Sequence, residues 1–292
     1  MKNQLEKLFE KRAQSFVSLI RNVKDEEVEE VIEKKLQLFR KRDAEIVKCI
    51  IKGQVLRKQQ VGERTAIDYV VHYQFLVEQH EWMYVEEQVE KRRAHFNGKE
   101  LIEDKKIEMT GVLEPNARIE YEAPQREKVA YVYDRIKAVQ YAETWWNSYN
   151  PKFPKFSVDC TNFISQCLYA GGVPMVGYPN RSKGWWMKNG SWSYSWTVAN
   201  AFRWYLSGNH IGLQAIEVSS PEKLVPGDVI CYDFQGDGRF DHSTIVVAKD
   251  QKGMPLVNAH TTNSRMRYWS YEDSTAYTPN IQYKFFHIVD KE

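Results

Sequence analysis

Covalent chemistry in this sequence centres on Cys160. In the run Asp159-Cys160-Thr161-Asn162-Phe163-Ile164-Ser165-Gln166-Cys167-Leu168-Tyr169-Ala170-Gly171-Gly172, the apolar residues Phe163, Ile164, Cys167 and Leu168 follow Cys160 at spacings of three, four, seven and eight. That period makes one apolar stripe of a helix, and the two glycines supply a left-handed stop. Cys160 then sits in the first helical turn, where unpaired N–H groups favour thiolate over thiol and can bind a developing oxyanion. A nucleophilic thiol needs a base, and the base needs a group to orient it. The seven histidines are His72, His80, His95, His210, His242, His260 and His287. His242 opens the β-branched run His242-Ser243-Thr244-Ile245-Val246-Val247-Ala248, from whose start an imidazole can reach the helix N-terminus. The next strand, Leu256-Val257-Asn258-Ala259-His260, carries two candidate orienters, Asn258 and His260, on one face.

Competing chemistries lack their signatures. No Cys-x-x-Cys or His-x-x-x-His pair suggests zinc, no Gly-x-Ser-x-Gly elbow suggests a serine mechanism, and no Gly-x-x-x-x-Gly-Lys cradles phosphate. The reading implies no cofactor and no metal. Cys167 and Cys231 fit buried core positions, and Cys160 and Cys167, two helical turns or roughly 10 Å apart, are too distant to bridge.

A cysteine at a helix start followed by a meander with histidine at a strand start resembles the papain-like cysteine hydrolases, in the branch of NlpC-type peptidases and CHAP amidases. Within that branch the chain is most similar to the bacterial "putative amidase domain" family. The motifs that match are Asp159-Cys160-Thr161-Asn162-Phe163, Ser165-Gln166-Cys167, Ala170-Gly171-Gly172, Gly227-Asp228, Asp241-His242-Ser243 and His260-Thr261. The resemblance covers about residues 129–289 and implies a helix-plus-antiparallel-sheet domain that hydrolyses an amide or peptide bond. It implies Cys160 as nucleophile, the Cys160 backbone N–H as an oxyanion donor, His242 as acid and base, and His260 as orienter. Asn258 is the alternative orienter, since papain itself uses asparagine. The implied substrate is a peptide or amidated muropeptide of peptidoglycan.

Two domains are expected from 292 residues, divided at 1–122 and 123–292. Leu5, Leu8, Phe9, Ala13, Phe16, Ile20 and Val23 keep a helical period, so the spacing predicts a helix over about 3–22, and a second follows Asp25. Alternation then gives strands at 46–56, 67–77 and 82–96, a type I′ hairpin at Asn97-Gly98, and a strand over 99–112. This helical hairpin and antiparallel meander resembles the cystatin-like or nuclear-transport-factor-like α+β fold. His72 reads as a surface or satisfied side chain. The polar, proline-punctuated stretch 113–125 reads as a linker. In the second half a helix is expected over 129–149, and Ser195 caps another that runs to Leu206.

Six of the nine tryptophans fall between Trp146 and Trp204, and Trp185, Trp186 and Trp192 are the candidate walls of a substrate site. The balance of 41 Lys plus Arg against 39 Asp plus Glu gives no electrostatic reason to bind nucleic acid. No stretch of about 20 apolar residues spans a membrane, and Met1 leads into charged amphipathic sequence without a signal peptide. As written the chain stays in the cytoplasm, which conflicts with a cell-wall substrate unless it leaves by a route the sequence does not display. The rival to an enzyme is a binding or scaffold protein whose N-terminal domain engages a partner.

Overall fold

The structure, a computed structural model, describes residues 1–18, 26–107, 129–208 and 211–291. The chain divides into two units, both α+β with antiparallel strands. The first comprises Met1–Met109 together with Thr262–Ser264 and Tyr271–Thr275, and the second holds the remainder. The expected linker 113–125 and the boundary at 122/123 lie outside the described residues.

In the first unit, helices α1 (Lys2–Val17) and α2 (Glu26–Lys41) precede four strands, β1 (Glu45–Val61), β2 (Arg64–Gln79), β3 (Trp82–Asn97) and β4 (Glu100–Lys106). Each strand pairs antiparallel with the next. Alternation in β2 puts Ile67, Tyr69, Val71, Tyr73, Phe75 and Val77 on one buried face, as a period of two requires. Phe16 of α1 packs edge-on to Phe75 at 4.8 Å, and Phe9 lies 5.8 Å from Tyr69. The β3–β4 loop departs from the expected type I′ turn: its central residues are Gly98 and Lys99, and only Gly98 takes positive φ, at 57°. His72 is partnered, with Nε2 2.7 Å from the Glu87 carboxylate.

The second unit contributes α3 (Arg135–Trp145), α4 (Cys160–Ala170), the short hairpin β5 (Met187–Lys188) and β6 (Ser191–Trp192), α5 (Tyr194–Thr197) and α6 (Ala199–Ser207). Six strands follow: β7 (Gln214–Val218), β8 (Val229–Asp233), β9 (His242–Lys249), β10 (Pro255–Ala259), β11 (Asn263–Tyr268) and β12 (Gln282–Val289). Their order in the sheet is β11-β10-β9-β8-β12-β7. Asp134 caps α3 by accepting the Lys137 N–H at 3.0 Å, so this helix starts six residues later than expected. The expected single helix from Ser195 is instead α5 and α6, broken at Val198, with Ser195 inside α5.

Asp228 ties these elements together from a fully buried position. Its carboxylate accepts from Arg135 of α3 at 2.6 Å and from the Ile288 N–H of β12 at 3.0 Å. It also accepts the Val225 N–H at 2.9 Å and lies 2.8 Å from His287 Nδ1. Gly227 before it has φ +94°, and a Cβ there would lie 3.2 Å from the Arg135 side chain. The Gly-Asp pair is therefore a structural junction.

Candidate active site

Helix α4 packs against α3 and β9, and every residue from Cys160 to Leu168 is buried. It is enclosed all round, where the apolar spacing alone predicts a single inward stripe. Its polar side chains meet partners instead of water. Trp185 Nε1 donates to Ser165 Oγ at 3.0 Å, and Trp196 Nε1 donates to Asn162 Oδ1 at 2.9 Å. Tyr141 donates to Gln166 Oε1 at 2.7 Å. The helix stops where Gly172 takes φ +94°, with the Val173 N–H donating back to the Leu168 carbonyl at 3.2 Å.

These contacts correct the expectation for two tryptophans. Trp185 and Trp186 are fully buried, and the Trp186 indole donates to the carbonyls of Asn180 and Lys183. Both are core, Trp185 bonded to Ser165 of α4 and Trp186 satisfied by the 180–183 carbonyls with its ring against Tyr178. Trp192 is half-buried, with Phe156 edge-on at 4.9 Å and the Arg181 guanidinium 5.4 Å from its ring centre.

Cys160 is the first residue of α4, a position whose backbone N–H has no partner within the helix. Its thiol is buried, and Thr161 Oγ1 lies 3.8 Å from Sγ. Burial raises the thiol pKa, and hydrogen bonds from Ser243, Thr161 and Thr261 oppose it without reversing it. Desolvation of the charged form is the largest of these influences. Burial also holds His242 neutral, pushing its pKa down to about 3 with help from the Arg267 charge.

Ser243, directly after His242, brings β9 to this thiol. It hydrogen-bonds Cys160, and its Oγ lies 3.5 Å from Thr161 Oγ1 and 3.8 Å from Cys231 Sγ. In the register of β8 and β9, Ser243 lies opposite Cys231 and His242 opposite Tyr232. The His242 ring is 5.6 Å from that of Tyr232 and 6.1 Å from that of Phe234.

The two candidate orienters go elsewhere. His260 Nδ1 is 2.7 Å from Asp159 Oδ2, and its Nε2 is 2.8 Å from the carbonyl of Trp145, the last residue of α3. Both ring nitrogens face acceptors. It stacks on Phe163 at 4.0 Å and 11°. The Asn258 amide donates to Glu143 at 2.8 Å, and its oxygen accepts the Met266 N–H at 2.9 Å. With these bonds made, His260 and Asn258 do not orient His242, and the expected assignment is corrected. His260 instead clamps Asp159, the residue that caps α4, and Thr261 adds a bond to the Asp159 N–H at 3.2 Å.

Sequence reasoning gave no role to Asp159, Thr261 or Ser243, although all three stand inside the matched motifs. Nothing in their spacing along the chain brings Asp159 to His260; only the packing of α4 on the sheet does. Among the described residues, no group of three or more His, Cys, Asp or Glu side chains could hold a metal ion.

Comparison with known proteins places this geometry. A family profile described as "Putative amidase domain" matches residues 132–286, more than half of the chain. An uncharacterized protein of Bacillus subtilis (strain 168), YhbB, is 53% identical over 269 residues, covering 89% of this chain and 86% of the relative. A second uncharacterized protein of that organism, YjcM, is 32% identical over 141 residues, 45% of this chain and 31% of its own length. No solved structure matches. The chain belongs to the putative amidase domain family.

Proposed function

We propose that the chain is a cysteine-dependent hydrolase of an amide or peptide bond, related in mechanism to papain-like NlpC-type peptidases and CHAP amidases. The family supports hydrolysis of amides. The observation that carries the cysteine assignment is the Cys160 thiol at the first residue of α4, hydrogen-bonded by the residue that follows His242.

His242, neutral at rest, accepts the Cys160 proton as sulfur attacks the substrate carbonyl. The transfer requires nitrogen and sulfur in direct hydrogen-bond contact or one water apart, a contact that commonly tightens only in the substrate complex. The tetrahedral oxyanion takes the Cys160 backbone N–H. The imidazolium returns its proton to the leaving amine, and the C–N bond breaks to leave a thioester. Water, deprotonated by His242, then releases the acid and restores the thiol. Half-buried Trp192 remains the candidate substrate wall, and a peptidoglycan-type peptide is the substrate class. The cystatin-like or transport-factor-like first domain has no assigned part in this chemistry.

The test is turnover of peptidoglycan fragments and peptide amides by the wild type and Cys160→Ala. The variant should lose about three or more orders of magnitude in kcat/KM while keeping its fold. Retention of turnover by a folded Cys160→Ala would refute the cysteine mechanism.

A further inference from the structure

Arg203 is a charged group of the second unit that this reaction leaves unused. It lies half-buried on α6, its guanidinium carbon 3.8 Å from the centre of the Trp204 ring and 5.1 Å from that of Phe240. Nε and Nη1 are closed off from solvent and have no hydrogen-bond partner. Nη2 is not closed off in this way and has no acceptor among the described residues. Two aromatic rings thus hold the plane of the group while one end stays open.

The carboxylates of the loop 233–241, which carries Phe240, bond within that loop. Asp233 accepts the N–H groups of Gly236 and Gly238, both at 2.7 Å. Asp237 accepts the Arg239 backbone N–H at 2.8 Å, and Asp241 accepts the Phe234 N–H at 3.2 Å. The loop 233–241 satisfies its own backbone and leaves Arg203 unpaired.

Arg203 also touches the segment that leads into β9. Phe240 is two residues before His242, and its N–H donates to Asn200 on α6 at 3.2 Å. The Arg203 charge lowers the pKa of Cys231 against the effect of burial, and Cys231 in turn touches Ser243. An arginine with an open end and no protein acceptor calls for an outside one.

We propose that Arg203, clamped by Trp204 and Phe240, is a specificity-determining residue whose Nη2 binds a substrate carboxylate, so that the preferred acyl donor is an acidic peptide with a carboxylate near the scissile amide. This rests on the reading of Cys160 as nucleophile.

The two readings separate in one alkylation experiment. Rates of Cys160 modification by iodoacetate, an anion, and iodoacetamide, its neutral analogue, are measured by peptide mass spectrometry and normalised to N-acetylcysteine. In the wild type the normalised ratio should favour iodoacetate by about tenfold, the low end of what a local field adds to encounter rates. Arg203→Gln should bring it to about one, and Arg203→Lys, which keeps the charge and guards against a folding defect, should retain part of the preference. An equal ratio in wild type and Arg203→Gln would reduce Arg203 to an aromatic-stacked structural residue and overturn the proposal. A Cys160 inert to both reagents would remove the nucleophile reading and the clamp with it.

Discussion

Desolvation sets the direction of the shifts at Cys160 and His242. Cys160 is raised by burial and His242 lowered, so neither is charged at neutral pH. Alkylation of Cys160 by iodoacetamide should therefore keep rising, close to tenfold per pH unit, through pH 9; a plateau near pH 7 would mean that the thiolate is already formed there. His242 leaves a second signature in stability. Its folded pKa of about 3 lies below the value near 6.5 of an unfolded histidine, so the unfolded chain binds the proton more tightly. The stability held above about pH 6.5 is lost as pH falls toward 3, by up to about 1.4 kcal/mol per unit. Urea unfolding at pH 7 and pH 4.5 should show a larger loss for wild type than for His242→Asn. Equal losses would mean that the imidazole is not buried in its neutral form.

At the scale of elements, the position of Cys160 depends on how α3, α4 and β10 meet. His260 follows β10, bonds the last carbonyl of α3 and pairs with Asp159 at the head of α4. Removing one partner of this buried hydrogen bond leaves the other unsatisfied, which costs about 1–3 kcal/mol. Asp159→Ala should accordingly lower the melting temperature sharply, leaving His260 buried without its carboxylate, and should lower kcat more than it raises KM. A melting temperature within a degree or two of wild type would show that the clamp carries no stability. His260→Ala should also slow turnover through the placement of α4, and unchanged kcat in a folded variant would show that this placement does not depend on His260.

On the scale of the whole chain, the first unit draws on two distant stretches. Lys35 of α2 is buried between Glu86 of β3 and Asp273, the latter at 2.9 Å, and Lys41 reaches Glu272. Residues 271–275 thus complete a unit whose other elements end by residue 109. Protease cleavage within 113–125 should leave two fragments that co-elute under native conditions, because a fragment ending there lacks Asp273. Clean separation into two folded pieces would mean that the Lys35 ion pairs are dispensable. Among the described residues no helix is long and apolar enough to cross a membrane.

Local periodicity was enough to read the α4 helix with Cys160 at its head, the alternating face of β2, and His242 opening a strand, since spacing along the chain decides each of these. The glycine stop also came from the chain alone, because only a residue without a Cβ takes φ +94° at Gly172 without strain. Tertiary packing decided the rest. Trp185 and Trp186 turn inward because the polar side of α4 offers acceptors to bonded or neighbouring indoles, and a sequence window cannot weigh that against exposure. His260 was assigned to the wrong partner because Asp159, 101 residues away, outbids any local one. The charge states of Cys160 and His242 followed from burial, a property of the folded molecule that no motif carries.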